Sequence, residues 1–167
     1  MKHLLLSAAF CCALGAQAQG KSERWLNPEV NRVNTVKSRS TFFAYENENA
    51  ARSGKKCESD RYMSLEGKWK FFFVKDHGQA PKGFYAPGYD DSAWDLFPVP
   101  GLIEINGYGE RIYKNVGYSW ATQFNSNPPM VEEKNNYTGS YRREFEIPAG
   151  WQGSRIFMHV GSATSNI

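Results

Sequence analysis

Gly67-Lys68-Trp69-Lys70-Phe71-Phe72-Phe73-Val74 decides the fold class of this chain. Trp69, Phe71 and Phe73 fall on one side of an extended backbone; Lys68, Lys70 and Phe72 fall on the other. Period-two alternation in an aromatic run marks a half-buried β-strand. Gly67 precedes it as a turn residue, so a strand is predicted over Lys68–Val74. Outward from this run, Ser92–Val99 carries Trp94, Leu96, Phe97 and Val99 and reads as a short strand stopped by Pro98 and Pro100. Gly139–Ile147 reads as another strand. Tyr141, Phe145 and Ile147 share its face, with Arg142, Glu144 and Glu146 opposite. Arg143 interrupts the apolar side, and Pro148 ends the run. Arg155–Val160 sets Ile156, Met158 and Val160 on one side as a further strand. No run predicts a helix of three or more turns. The expected class is all-β, with antiparallel strands in a sandwich rather than a barrel.

The chain has 167 residues, which fits a single domain. Hydrophobic residues make up 41% and aromatics 15%, enough for a core and too many for a disordered chain. Lys and Arg number 20 against 17 for Asp and Glu, and no run of like charge is long. A net charge of +3 spread in this way does not point to a nucleic-acid partner.

The N-terminus reads as a secretory signal over residues 1–18. Met1-Lys2-His3 is a short basic start, Leu4–Ala16 is apolar, and Ala16-Gln17-Ala18 offers small residues for cleavage before Gln19. The apolar run is too short to span a membrane. Phe10 stands before Cys11, where a lipoprotein signal needs a small residue, so no lipid anchor is expected. Periplasmic or secreted localisation follows. Removing the signal leaves Cys57 alone, so no internal disulfide is expected.

Residues 19–60 read as an N-terminal arm, extended at first and anchored by a few apolar side chains, and residues 61–167 as the β domain. Within the arm, Glu46–Lys56 is polar and reads equally as a helical turn or a plain loop. Gln79–Asp91 is rich in Gly, Pro and Tyr and reads as a loop. Gly101–Val131 is long and irregular, yet carries Tyr108, Tyr113, Tyr118, Trp120 and Phe124, too aromatic for disorder.

The order of these motifs resembles the N-terminal sugar-binding domain of glycoside hydrolase family 2 β-galactosidases. Trp25-Leu26-Asn27-Pro28 and Arg39–Tyr45 resemble the start and arm of that family, and Ser64–Phe71 is similar to its first jelly-roll strand. Gly107-Tyr108-Gly109-Glu110-Arg111-Ile112-Tyr113-Lys114-Asn115-Val116-Gly117-Tyr118 is similar to the family's G-Y-G-x-P-I-Y-x-N-V-x-Y segment. Asn127-Pro128-Pro129, Thr138–Phe145 and Gly161-Ser162-Ala163 follow in the same order. The sequence departs from the pattern at Gly101-Leu102-Ile103, at Arg111 and at Tyr137, the last two standing where the family has proline.

The resemblance implies a jelly-roll, galactose-binding-like β-sandwich with an extended N-terminal arm, incomplete at the C-terminus because a further strand is expected at Asn166-Ile167. It implies a galactoside as substrate, a separate catalytic barrel of the same enzyme as partner, and no membrane partner. It also implies magnesium and sodium for the full enzyme, none of them held by this chain, and it leaves a homo-oligomer open. Retaining hydrolysis needs an acid/base and a nucleophilic carboxylate roughly 5–5.5 Å apart, and the family takes both from the barrel. No residue of this chain is therefore expected to be catalytic; Glu144 and Glu146 read as a solvated face. His77 and His159 lack ligands at zinc spacing.

What remains is sugar contact, which uses amide and hydroxyl hydrogen bonds and aromatic faces. From residue type alone, the favoured reading is that Asn115 satisfies loop backbone groups and Tyr113 fills core. The resemblance implies that Asn115 hydrogen-bonds the galactose, supported by Tyr113 and Val116. Two other readings belong to different classes: a stand-alone carbohydrate-binding module, and the same domain of another family 2 enzyme such as a β-glucuronidase.

Overall fold

The computed structural model describes residues 24, 27, 29–113, 115–117, 132 and 134–163. The proposed signal, Trp25, Leu26 and Pro28 of the arm, and all of 118–131 lie outside them. Within the described residues the fold is all-β, as expected. Three antiparallel strands, β1 (Gly67–Val74), β2 (Asp95–Val99) and β3 (Thr138–Arg142), form one sheet in the order β2-β1-β3. This is consistent with one layer of a β-sandwich.

The register explains why β1 is central. Trp69 stands opposite Phe97, and Phe71 opposite both Asp95 and Tyr141. Directly opposed residues share a face, so Trp69, Phe71, Phe73, Phe97 and Tyr141 form one apolar surface. Phe71 and Phe97 are each 1% exposed. The Phe71 ring lies 4.5 Å from that of Phe97 and 4.8 Å from that of Tyr141, within the range of favourable aromatic pairs. Gly139, next to this cluster, has no room for a side chain: a Cβ there would meet Phe71 Cε2 at 2.6 Å.

The other face is covered by the 77–94 loop. Trp94 is buried, with Phe72, Phe84 and Tyr89 around its ring at 5.6, 5.8 and 5.8 Å. Arg142 ties the loop to β3. Its guanidinium pairs with Asp91 and also donates to Tyr89 O at 3.3 Å and Ala86 O at 3.5 Å. On sequence this arginine reads as part of a solvated face. In the fold its side chain is largely buried and organises the loop.

The expected strands shorten in three places. β2 begins at Asp95, not Ser92, because residues 91–94 form a turn. There Trp94 N donates to Asp91 O at 3.0 Å, and Ser92 N donates to Asp90 Oδ1 at 3.0 Å. Pro98 lies inside β2 rather than ending it; β2 is an outer strand of this sheet, where a missing N–H is tolerated. β3 ends at Arg142, not Ile147. Arg143 turns its guanidinium onto the carbonyls of Leu65 (2.6 Å) and Glu66 (2.8 Å), so side-chain bonds replace further ladder bonds. Phe145 and Ile147 are left about half exposed. Arg155–Val160 keeps its alternation but forms no strand, since no described segment pairs with it; Ile156 and Met158 are 47% and 66% exposed.

Glu46–Lys56 settles as helix. The six-residue α1 (Glu48–Ser53) is capped by Asn47 Oδ1, which accepts from Ala50 N at 2.9 Å, and ends at Gly54 with φ 67°. These are the ordinary start and stop devices of a short helix. Behind it, Phe43, Tyr45 and Tyr62 pack edge to face, with Lys56 Nζ 4.7 Å from the Tyr62 ring centre. The buried Ser59 hydroxyl donates to Glu46 Oε2 at 2.6 Å and holds that carboxyl below its ordinary value. Cys57 is exposed and unbridged. No helix of the described residues is long and apolar enough to cross a membrane.

Phe71→Ala removes the ring against which four others pack. It is expected to cost about 3–5 kcal/mol of unfolding free energy, read from urea denaturation. Leu96→Ala, at a position 60% exposed, is expected to cost less than about 1 kcal/mol. Equal losses at the two positions would overturn this account of the core.

Candidate functional site

The segment that carries the expected sugar contacts leaves β2 at Val99, through a cis Val99–Pro100 peptide. Gly101 follows because the chain turns tightly: a Cβ there would meet Pro98 O at 2.4 Å. The next residues close a turn on Leu102. Asn106 donates to Leu102 O from both its backbone N (3.2 Å) and its Nδ2 (2.8 Å), and Tyr108 N donates to Ile103 O at 3.1 Å.

Four consecutive residues then fix the chain to the sheet. The Tyr108 ring packs on the apolar face, 4.8 Å from Phe71, 5.7 Å from Phe73 and 6.0 Å from Phe97. Its hydroxyl donates to Asp95 Oδ2 at 2.8 Å. Gly109, at φ 70°, passes beneath Tyr137, whose ring would lie 3.1 Å from any Cβ placed there. Both the backbone angle and the space therefore require glycine. The carboxylate of Glu110 accepts from the Tyr137 hydroxyl at 3.1 Å. Arg111 Nε donates to Glu104 O at 3.2 Å. Gly101, Arg111 and Tyr137, which depart from the family pattern in sequence, thus all contribute to this root.

Beyond Arg111 the chain projects. Tyr113 is 86% exposed and Val116 is 90% exposed; Asn115 is exposed beside them, and Gly117 turns the backbone at φ 82°. The structure thus places all three expected contact residues on one exposed tip. Tyr113 fills no core position there. Lys114 lies outside the described residues.

Sequence reasoning missed the roles of Tyr108, Asp95 and Tyr137. The G-Y-G around Tyr108 marks a sharp turn, but nothing in it names Asp95 or Tyr137 as partners. The tyrosines at the root are held neutral. Burial and the adjacent Asp95 carboxylate raise the Tyr108 hydroxyl above its ordinary value, and burial and Glu110 do the same for Tyr137. Burial foremost, then Glu104, raises Tyr141.

Elsewhere, Glu144 has a side chain 85% exposed and accepts from Arg142 at 3.3 Å, the solvated carboxylate expected of it. His77 Nδ1 lies 3.1 Å from Thr138 Oγ1 and joins the loop start to β3. Among the described residues, no three His, Cys, Asp or Glu side chains come together as a metal site.

Residues 62–166 match the model of the glycosyl hydrolases family 2 sugar binding domain. The chain belongs to that family. All three strands, the root and the exposed tip fall inside the matched span. Relatives of this sugar binding domain include a β-galactosidase of Priestia megaterium, 30% identical over 86% of this chain and 14% of the relative. A β-galactosidase of Halalkalibacterium halodurans is 34% identical over 80% and 13%. The β-galactosidase large subunit of Leuconostoc lactis is 31% identical over 81% and 23%. The chain therefore spans only a small part of the length of the curated relatives it matches.

The root has a pH signature. A tyrosine whose folded value is raised contributes stability that is complete below the unfolded value, about 10. That contribution is lost as pH rises through the folded value. Tyr108 and Tyr137 are thus expected to ionise later than free tyrosine in a phenolate absorbance titration. Tyr108→Phe is expected to remove one late-titrating group. A titration curve unchanged by that substitution would contradict the Tyr108–Asp95 geometry.

Proposed function

We propose that this sugar binding domain serves a retaining β-galactosidase that hydrolyses terminal β-galactosides, and that its exposed 113–117 tip forms one wall of the galactose pocket. The observation that carries the reading is the tip itself: an amide side chain, Asn115, presented to solvent between Tyr113 and Val116 on a rooted base. The β-galactosidase relatives support the substrate class. Asn115 supplies both a donor and an acceptor to sugar hydroxyls, and the Tyr113 ring offers a face to sugar C–H groups.

Bond cleavage belongs to two carboxyl groups outside this chain, one nucleophilic and one serving as acid and then base. Asp95 and Glu110 are already engaged by tyrosine hydroxyls and take no part in it. The magnesium and sodium that the family resemblance implies are assigned to the rest of the enzyme. No step in this domain runs through them. The Tyr113–Gly117 tip meets the catalytic domain of the same enzyme, and residues 1–18 direct export to the periplasm or beyond. N-terminal sequencing of the exported protein is expected to begin at Gln19; retention of Met1 would overturn the export reading.

The site is tested in the full-length gene product. That protein is expected to cleave aryl β-galactosides in preference to aryl β-glucuronides. Asn115→Ala is expected to lower kcat/KM roughly thirtyfold, about 2 kcal/mol of transition-state stabilisation. An unchanged kcat/KM, or a preference for glucuronides, overturns the reading.

A further inference from the structure

We infer that Tyr108 is a positioning residue for the sugar-contacting tip, acting through its hydroxyl bond to Asp95; the inference rests on the galactose-wall reading above. Among the described residues of the tip, Tyr113 and Val116 stand almost wholly in solvent. On its N-terminal side its direction is set where the described chain is last held. That place is the run Tyr108–Arg111, and Tyr108 is its first and deepest anchor.

The ring contacts with Phe71, Phe73 and Phe97 are dispersive and tolerate a small rotation of the ring. The hydroxyl bond does not tolerate it. A donor aimed at a carboxylate oxygen at 2.8 Å is charge-assisted and directional. Asp95 is itself fixed, since it lies on β2 directly opposite Phe71, the most buried residue of β1. The bond thus transmits the position of the sheet to the base of the loop.

Leverage makes this consequential. Asn115 is seven residues from Tyr108, a reach of up to about 24 Å in extended chain. A few degrees of rotation at the root displaces the tip by an ångström or more. A misplacement of about 1 Å in a group that orients substrate can cost up to roughly a hundredfold in rate. A bond remote from the substrate therefore acts on it through the geometry of the tip.

The test is a double-mutant cycle in the full-length enzyme, assayed on an aryl β-galactoside. Tyr108→Phe keeps the ring and removes only the hydroxyl. Asp95→Ala removes the acceptor from the other side and serves if Tyr108→Phe fails to fold. Each is expected to lower kcat/KM about tenfold, within the range set by misplacement. In the Asn115→Ala background each is expected to have almost no further effect, because the group they position is gone. A general loss of folded enzyme would instead multiply with the Asn115→Ala loss. Unchanged kcat/KM in the single variants, or losses that multiply, overturns the inference and leaves the galactose wall standing. If Asn115→Ala alone has no effect, the galactose wall fails, and the positioning role falls with it.

Discussion

The structure depends on the burial of one ring. Phe71 sits at the centre of β1, in register with β2 on one side and β3 on the other. Phe97, Tyr141 and Tyr108 close around it. Phe97, on the outer strand β2, is buried just as fully because it packs against Phe71. The loop that bears the candidate site is attached to this ring, and not merely to the strand that precedes it.

The two faces of the sheet are finished differently. One receives the Tyr108 and Tyr137 rings and supports the loop. The other receives Trp94, with Arg142 drawing the 77–94 loop inward through Asp91 and two carbonyls. An arginine so used is a fork of donors that ties Asp91 and two loop carbonyls to the sheet.

How far the sequence discloses this follows from the range of the forces. β1 was legible to within one residue, because alternation and aromatic content are local properties. The end of β3 was not, since what stops it is a hydrogen bond from Arg143 to a carbonyl 78 residues earlier. The 155–160 run keeps a strand's alternation without a described partner, and pattern alone does not supply one. The exposed tip was legible through the resemblance of Tyr113, Asn115 and Val116 to a family segment. Its root was not, since Tyr108 and Asp95 meet only after β2 and the following turn have formed.

Gly109 carries a last consequence. It threads under Tyr137 at a backbone angle that other residues avoid, and the described residues just beyond Ile112, Tyr113 and Asn115–Gly117, are exposed. Substitutions at Tyr113, Asn115 and Val116 meet little packed structure, while those at Tyr108 and Gly109 disturb the contacts with the sheet. The domain thereby separates what must stay constant from what is open to change. Selection, or an engineer, can vary Tyr113, Asn115 and Val116 with little penalty to the scaffold.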